Sequence, residues 1–177
     1  PTATIFGGYI WNSNDSGSTW TQDNAITSAK NWRGIAMSSD GTRLVANVQY
    51  GNIWTKLVSS TGLYAHDWTE NTSIGSTKEW ENGFAMSADG RNIVAGSVWD
   101  GNIWTSSDSG ATWTERTVGD GSNKWMSISS SSDGTKLAAV VYDGNIWTSS
   151  NSGATWTENT STGAGKQWRQ ICSSADG

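Results

Sequence analysis

The segment Gly-Asn-Ile-Trp-Thr-Ser-Ser-Asn-Ser-Gly-Ala-Thr-Trp at residues 144–156 belongs to a repeat that runs through this chain of 177 residues. Its first part, Gly-Asn-Ile-Trp, ends at Trp54, Trp104 and Trp147, and the divergent Gly-Tyr-Ile-Trp ends at Trp11. These four tryptophans are separated by 43, 50 and 43 residues. A period of this length is typical of repeat architectures in which each unit is one supersecondary structure.

Each unit carries the same landmarks in the same order. A Ser-rich turn ending in Asp-Gly occurs at residues 38–41, 87–90, 131–134 and 174–177. One tryptophan precedes each turn (Trp32, Trp80, Trp125, Trp168), and another follows each Ile-Trp (Trp20, Trp68, Trp113, Trp156). Of the 13 tryptophans, only Trp99 lies outside this pattern.

Every unit is interpreted as four short strands, because β-branched and aromatic runs alternate with Asp-Gly, Asn and Ser turns. In the clearest unit the predicted strands are residues 125–130, 136–142, 145–149 and 155–159. Four strands at this period are typical of a β-propeller blade, so we predict an all-β propeller with four antiparallel blades. We expect one domain, residues 1–177, with blades at about 31–78, 79–124 and 125–167. The remaining blade combines residues 168–177 with 1–30.

The composition argues against several classes of partner and site. The net charge is −5 and the 11 basic residues are scattered, so we expect no nucleic-acid partner. No apolar run approaches the roughly 18 residues of a membrane span. A single Cys172 and a single His66 argue against a disulfide or a Cys/His metal cage, and no metal or cofactor is expected. We interpret His66 as a loop residue and Cys172 as a small buried residue.

Three segments resemble a known repeat. Residues 13–20 and 106–113 match Ser-x-Asp-x-Gly-x-Thr-Trp, and residues 149–156 match it with Asn151 in place of Asp. They are similar to the Asp-box, or BNR repeat, of sialidase-like and lectin-like β-propellers; we call them the box segments. The second unit departs, because residues 58–62 are followed by an insertion before Trp68. Propellers that resemble this chain include sialidases, xyloglucan-cleaving glycosidases, sorting receptors, lectins and a photosystem assembly factor.

The box segments are expected to be structural turns, in which Asp or Asn accepts backbone hydrogen bonds and Gly supplies a positive φ. The structural positions are Asp15, Gly17, Trp20, Asp108, Gly110, Trp113, Asn151, Gly153 and Trp156. The alternative is a calcium or ligand site at Asp15 and Asp108. It is disfavoured because Asn151 lacks the charge that a metal prefers. The repeated tryptophans are interpreted as packing between blades rather than as a carbohydrate platform.

The hairpin tips between the second and third strands are better candidates for binding. They lie on the face opposite the box segments and combine aromatic rings with Asp or Asn, a combination that suits sugars. The candidate ligand-binding residues are Tyr50, Asn52, Trp99, Asp100, Asn102, Tyr142, Asp143 and Asn145, with Phe6-Gly7-Gly8-Tyr9 at the fourth tip. The alternative is a set of type I′ hairpin turns whose rings pack on the next blade.

Binding or scaffolding is favoured over catalysis. The expected ligand is a glycan or a protein partner outside the cytoplasm, in an extracellular or secreted protein. The alternative is part of a sialidase-like or xyloglucan-cleaving glycosidase. The sialidase resemblance implies an Arg-Ile-Pro element, which is missing because the only proline is Pro1. A glycosidase needs two converging carboxylates, and Asp100 and Asp143 belong to a repeated turn instead.

Two further expectations concern secretion and assembly. Asn14, Asn71 and Asn159 begin glycosylation sequons. Residues 1–20 align with 137–156, so they supply the second to fourth strands of a blade whose first strand is residues 168–177. The two ends either close one chain or associate between chains by strand complementation. Because the resembling propellers usually have six or more blades, we favour more than four blades in the functional particle.

Overall fold

The computed structural model describes residues 1–58, 67–75, 78–98, 101–163 and 165–177. These residues form antiparallel strands and turns and contain no helix, so the predicted all-β fold is confirmed. The strands are β1 (Thr2–Thr4), β2 (Phe6–Gly8), β3 (Ile10–Asn12), β4 (Thr21–Gln22), β5 (Lys30–Met37), β6 (Arg43–Val48), β7 (Ile53–Leu57), β8 (Thr69–Asn71), β9 (Trp80–Met86), β10 (Ile93–Ser97), β11 (Ile103–Ser106), β12 (Thr114–Arg116), β13 (Trp125–Ser130), β14 (Leu137–Gly144), β15 (Ile146–Ser149), β16 (Thr157–Asn159) and β17 (Lys166–Gln167).

The strands form four antiparallel sheets that follow the sequence repeats. Sheet I contains β1, β3 and β4, and sheet III contains β9 to β12. Sheet II contains β5 to β8, with β2 paired to β5; sheet IV contains β13 to β16, with β17 paired to β14. In sheets II, III and IV the repeat's four strands therefore pair in chain order, as the period predicts for a propeller blade.

Three of the four strands of sheet IV differ from their predicted bounds: the second is Leu137–Gly144 rather than 136–142, the third begins at Ile146 rather than at residue 145, and the fourth is shortened by the box segment. The first strand of sheet IV was predicted at its observed bounds, Trp125–Ser130. The fourth strand begins at Thr157 rather than at residue 155. Thr155 instead closes the box turn, because its backbone N–H donates to Asn151 Oδ1 at 2.9 Å. Side-chain hydrogen bonding within the turn thus removes two residues from the strand.

The apolar core lies between neighbouring sheets. Trp80 is fully buried and packs with Val45 and Ile53 of sheet II and with Ile93 of its own sheet. Trp125 packs in the same way with residues of sheets III and IV, and its Nε1 donates to the carbonyl of Gly101 at 2.8 Å. These tryptophans are core residues, as predicted, and each joins one repeat to the preceding one.

The blade that was predicted to combine residues 168–177 with residues 1–30 stays a prediction. Sheet I has three strands, and residues 168–177 run beside β13, where Ser132 N–H donates to the carbonyl of Ala175 at 2.7 Å. Within the described residues, no hydrogen bond joins residues 168–177 to residues 1–58. Cys172 is exposed, so the expectation that it is buried was wrong. Within the described residues, the hydrogen bonds that join residues 168–177 to parts of the chain before β17 all go to residues 127–136, so one side of the segment is left exposed.

Candidate binding face

The turns of the sheets separate into two faces, as the strand order requires. On one face the second and third box segments contact the Asp-Gly turn regions of their own sheets: Ser109 N–H donates to the carbonyl of Arg91 at 3.0 Å and Ser152 N–H to that of Thr135 at 2.9 Å. We call this the box face. The hairpin tips at residues 49–51 and 142–144 lie at the opposite ends of the strands and form the tip face.

Each box segment forms a closed network around its acidic or amide residue. In the first segment Thr19 Oγ1 donates to Asp15 Oδ2 at 2.6 Å, and Thr19 N–H donates to Asp15 Oδ1 at 2.8 Å. Ser13 Oγ also donates to Asp15 Oδ1, and Trp20 Nε1 covers the turn by donating to the carbonyl of Gly17 at 3.1 Å. The hydrogen bonds from Thr19, followed by that from Ser13, hold the pKa of Asp15 at about 2.

The amide in the third box segment forms the same network without a charge. Asn151 Oδ1 accepts from Ser149 Oγ and from Thr155 N–H, while its Nδ2 donates to Thr155 Oγ1 at 2.8 Å. The carboxylate of Asp108 accepts from Thr112 as Asp15 does from Thr19. Both oxygens of each carboxylate are therefore used inside their own turn. No cluster of three or more metal-ligating side chains occurs among the residues that the structure describes.

The hairpin tips at residues 49–51 and 142–144 are three-residue turns rather than type I′ turns. Val48 N–H donates to the carbonyl of Asn52 at 3.2 Å, and only the middle residue, Tyr50, has a positive φ, 54°. Asp143 has the same role with φ 57°. Because a type I′ turn needs positive φ at two successive residues, and the following Gly51 and Gly144 lack it, the predicted alternative geometry was wrong at these two tips.

The amides beside the tips are occupied by repeated structural hydrogen bonds. Each Asn side chain that follows a tip glycine donates to a glutamate in the fourth strand of its sheet. The pairs are Asn52 to Glu70 at 3.1 Å, Asn102 to Glu115 at 2.6 Å and Asn145 to Glu158 at 2.8 Å. The structure therefore uses these three predicted site residues to join the outer strands.

The rings at the tips have different surroundings. Tyr50 is 59% exposed, and its hydroxyl donates to Glu79 Oε1 at 2.9 Å. This hydrogen bond is the largest cause that raises the pKa of Tyr50 above its usual value. Tyr142 is partly buried, with the guanidinium of Arg169 4.8 Å from its ring centre. Tyr50 thus presents its ring to solvent, whereas Tyr142 is covered on one side.

A second exposed ring has a charged neighbour, Arg33, in common with Tyr50. Phe6 is 56% exposed, and the Arg33 guanidinium lies 4.8 Å from its ring centre. Arg33 also forms a 3.7 Å ion pair with Glu81, and both Arg33 and Glu81 act electrostatically on Tyr50. Together with Gln49, whose amide donates to Glu79 Oε1 at 3.2 Å, these residues form what we call the tip patch. It comprises Phe6, Arg33, Gln49, Tyr50, Glu79 and Glu81.

The structure brings together only part of the predicted site. Tyr50 belongs to the tip patch, and Asp143 is exposed without a side-chain partner among the described residues. Trp99 and Asp100 lie outside the described residues. Sequence reasoning missed Glu79 and Glu81, although a comparison of the repeats shows carboxylates on both sides of Trp80 where other repeats carry amide, basic or apolar residues.

No protein-family model and no curated protein matches this chain. Among solved structures it is similar to an ancestral GH74 enzyme, with TM-score 0.63 and 13% identity over 87% of this chain and 21% of the other. It is also similar to an auxiliary nutrient binding protein from Bacteroides thetaiotaomicron, with TM-score 0.61 and 12% identity over 89% of this chain and 38% of the other. The third is the β-propeller domain of Cps50 (Swd1) from Myceliophteria thermophila, with TM-score 0.58 and 15% identity over 79% of this chain and 46% of the other.

These similarities identify the fold. With the four antiparallel sheets they show that the chain is a β-propeller, and it spans less than half the length of each of these three structures. The identities are low, and the three proteins include both an enzyme and a binding protein. In the part of the chain that the structure describes, no helix has the length and apolarity needed to cross a membrane.

Proposed function

We propose that the chain is a non-catalytic binding propeller whose tip patch recognises a glycan outside the cytoplasm. The observation that carries this proposal is the exposure of two aromatic rings, Phe6 at 56% and Tyr50 at 59%, among charged and amide groups. Large apolar rings are normally covered, and exposed rings with nearby polar groups are typical of ligand sites.

The chemistry of the tip patch suits a polyhydroxylated ligand. Aromatic faces pack against the C–H faces of a sugar ring, while carboxylate, guanidinium and amide groups bind its hydroxyls. Glu79 Oε2 is buried without a partner, and so is Nε of Arg33. Two hydrogen-bonding groups beside the exposed rings therefore have unused capacity that a ligand or an ordered water would satisfy.

The carboxylates favour binding over hydrolysis. Glycoside hydrolysis needs a carboxylic acid whose pKa is raised and a second carboxylate across the bond. Every aspartate with a resolved shift among the described residues has a lowered pKa; the cases are Asp15, Asp23, Asp40, Asp89, Asp108, Asp120, Asp133 and Asp176. The raised pKa of Tyr50 also keeps its phenol neutral, whereas a tyrosine that attacks a substrate has to be deprotonated.

The test replaces each ring by a polar residue that suits its position in the turn. Phe6→Gln introduces the residue found at the equivalent position 49, and Tyr50→Asn retains a residue type that accepts positive φ. Met37→Ala, at a 42% exposed side chain that ends β5, is the matched control. Each ring substitution is expected to weaken retardation by a soluble polysaccharide panel in affinity electrophoresis about tenfold, equivalent to about 1.4 kcal/mol. The control is expected to bind normally.

Three results would overturn the proposal. If both ring variants were retarded as strongly as the unsubstituted chain, the tip patch would not be the glycan-binding site. If the unsubstituted chain bound no polysaccharide of the panel and instead captured a protein in a way that depends on Tyr50, the ligand would be a protein and not a glycan. Release of reducing sugar by the purified chain would favour the alternative, part of a glycosidase.

A further inference from the structure

At two of the hairpin tips the chain places a cation over the aromatic ring. The guanidinium of Arg33 lies 4.8 Å from the ring centre of Phe6, and that of Arg169 lies 4.8 Å from the ring centre of Tyr142. The two rings occupy equivalent positions in their repeats, and each arginine directly follows the first tryptophan of the next repeat. The chain therefore supplies these two rings with a cation of its own, a contact that is attractive because the face of an aromatic ring is electron-rich.

The tip of sheet II lacks this ring–cation pair. Alignment of the repeats places Gln49 at the position of the two rings and Glu81 at the position of the two arginines. The aromatic ring of this tip is one residue further along the chain, at Tyr50, and it is 59% exposed. A carboxylate thus stands where the other two tips have a guanidinium, next to an exposed ring.

The basic side chains near Tyr50 are directed to other partners. Arg33 forms the 3.7 Å ion pair with Glu81. The ammonium of Lys78, which lies in the strand region beside this tip, is 5.1 Å from the ring centre of Trp104. Among the described residues, no cation–ring contact involves Tyr50. The place of a cation over this exposed ring is therefore left for a ligand.

Glu79 adds a second negative charge at the same ring. Its Oε1 accepts from the Tyr50 hydroxyl at 2.9 Å and from the Gln49 amide at 3.2 Å, and both of these donors are neutral. Within the described residues Glu79 forms no ion pair, and its Oε2 has no hydrogen-bond partner. With Glu81 and Arg33, the tip patch has two carboxylates and one guanidinium, so one carboxylate lacks a counter-ion. A charge in such surroundings is normally paired.

We infer that the Tyr50 end of the tip patch binds an ammonium group, so that the ligand is a glycan whose amino sugars carry free amines. This inference rests on the proposed function, a glycan site at the tip patch, and adds the charge of the sugar. A protonated amine over the exposed ring makes the contact that Phe6 and Tyr142 receive from arginines. The carboxylates of Glu79 and Glu81 are its counter-ions, and they disfavour a sugar that carries a carboxylate.

The test compares two oligosaccharides that share a backbone and differ in whether the amine is charged. An oligomer of glucosamine and the N-acetylated oligomer of the same length are titrated into the 177-residue chain by isothermal titration calorimetry. The measurement is made at about pH 5.5, at which a glutamate of ordinary pKa is ionised. The glucosamine oligomer is expected to bind about tenfold more tightly. An oligolysine peptide of matching charge is expected to bind more weakly than the glucosamine oligomer, because it has no sugar face for the rings.

Variants of the carboxylates separate a specific site from overall charge. Glu81→Gln and Glu79→Gln are each expected to reduce the preference for the glucosamine oligomer about threefold, and Glu79→Gln keeps an acceptor for the Tyr50 hydroxyl. Glu81→Arg places a guanidinium where the other two tips have one and is expected to abolish the preference. Asp67→Asn is the matched control. It removes an equal charge from an exposed side chain beside the box segment that contains Ser109, and it is expected to keep the full preference.

Failure of this inference and failure of the proposed function give different results. Equal affinity for the two oligomers, lost in Tyr50→Asn, would overturn the ammonium site and leave the glycan site in place. If neither oligomer bound while another polysaccharide still bound in a Tyr50-dependent way, the outcome would be the same. Undiminished binding of the glucosamine oligomer by Tyr50→Asn would overturn both. Tighter binding of oligolysine would assign the site to a peptide, and equal losses in Asp67→Asn and Glu81→Gln would reduce the preference to overall charge; either result overturns the inference.

Discussion

The buried ion pair between sheets I and II is the interaction whose loss is expected to destabilise the chain most. Lys56 Nζ lies 2.7 Å from Asp23 Oδ2, with the two side chains only 8% and 5% exposed. The same oxygen also accepts from Trp68 Nε1 at 3.0 Å and from Asn12 Nδ2 at 3.1 Å. Burial raises the pKa of Asp23, but the hydrogen bonds from Lys56 and Trp68 outweigh it, and the pKa lies below its usual value.

The expected magnitude follows from the distance and the burial. At an effective dielectric constant of 20, unit charges 2.7 Å apart attract by about 6 kcal/mol, most of which offsets the cost of removing both ions from water. Lys56→Met leaves a buried carboxylate without its cation and is expected to lower the free energy of unfolding by about 3–5 kcal/mol. Asp23→Asn leaves the ammonium unpaired and is expected to have a similar effect.

The assay is urea unfolding at pH 7, monitored by tryptophan fluorescence and by circular dichroism so that two-state behaviour is checked. The double variant is expected to lose at least about 2 kcal/mol less than the sum of the single variants, because neither charge is then left alone. Glu81→Gln is the control. It breaks a half-exposed pair 3.7 Å long and is expected to cost under about 1 kcal/mol. If Lys56→Met cost no more than this control, the reasoning would be refuted.

Three further expectations follow from the box and turn geometry. Aspartates in these turns have lowered pKa values, about 2 in the clearest cases, so the stability they contribute is present above an unfolded pKa near 3.9 and is lost as pH falls from about 4 to 2. Asp108→Asn is expected to reduce this loss in urea unfolding series at pH 7, 4 and 3; an unchanged pH profile would contradict it. In a eukaryotic secretory host, intact mass is expected to show modification at the exposed Asn159 before Asn71, whose Nδ2 donates to a backbone carbonyl at 2.7 Å; preferential modification of Asn71 would refute this. Gly110→Ala is expected to destabilise the chain by at least about 1–3 kcal/mol more than Gly163→Ala, since both have positive φ but only Gly110 would place its Cβ against a neighbouring threonine; equal losses on urea unfolding would exclude the contact.

The fold could be predicted from the sequence because one pattern determines it repeatedly. Trp80 and Trp125 occupy the same place in their repeats and are both fully buried, so one packing solution explains both. The box segments were equally predictable, since Asp15 and Asn151 accept the same backbone hydrogen bond from Thr19 and Thr155. Local hydrogen bonding of this kind depends on a few adjacent residues, which a sequence motif records directly.

The site could be predicted only in part, because its contacts cross between repeats. Tyr50 was predicted from its tip, but its partner Glu79 is 29 residues away in the next sheet. The amides of Asn52 and Asn145 were chosen for the same reason as Tyr50, and the structure engages both with glutamates of the outer strands. The residue types in a turn predict that its side chains are exposed. Their hydrogen-bond partners depend on how neighbouring strands and sheets are aligned, and the sequence motif of a single turn carries no information about that alignment.

The departure of the second repeat from the box pattern connects these observations. Lys56 stands where the other repeats have the serine of the box, and its long side chain reaches Asp23 of the preceding sheet instead of closing a local turn. Trp68 follows it, donating to Asp23 rather than to a box glycine as Trp113 does to Gly110. In the second repeat, Lys56 and Trp68 therefore form a buried link between sheets I and II. Since this link fixes β3 and β4 against sheet II, it also sets the position of the first box segment, which lies between those two strands.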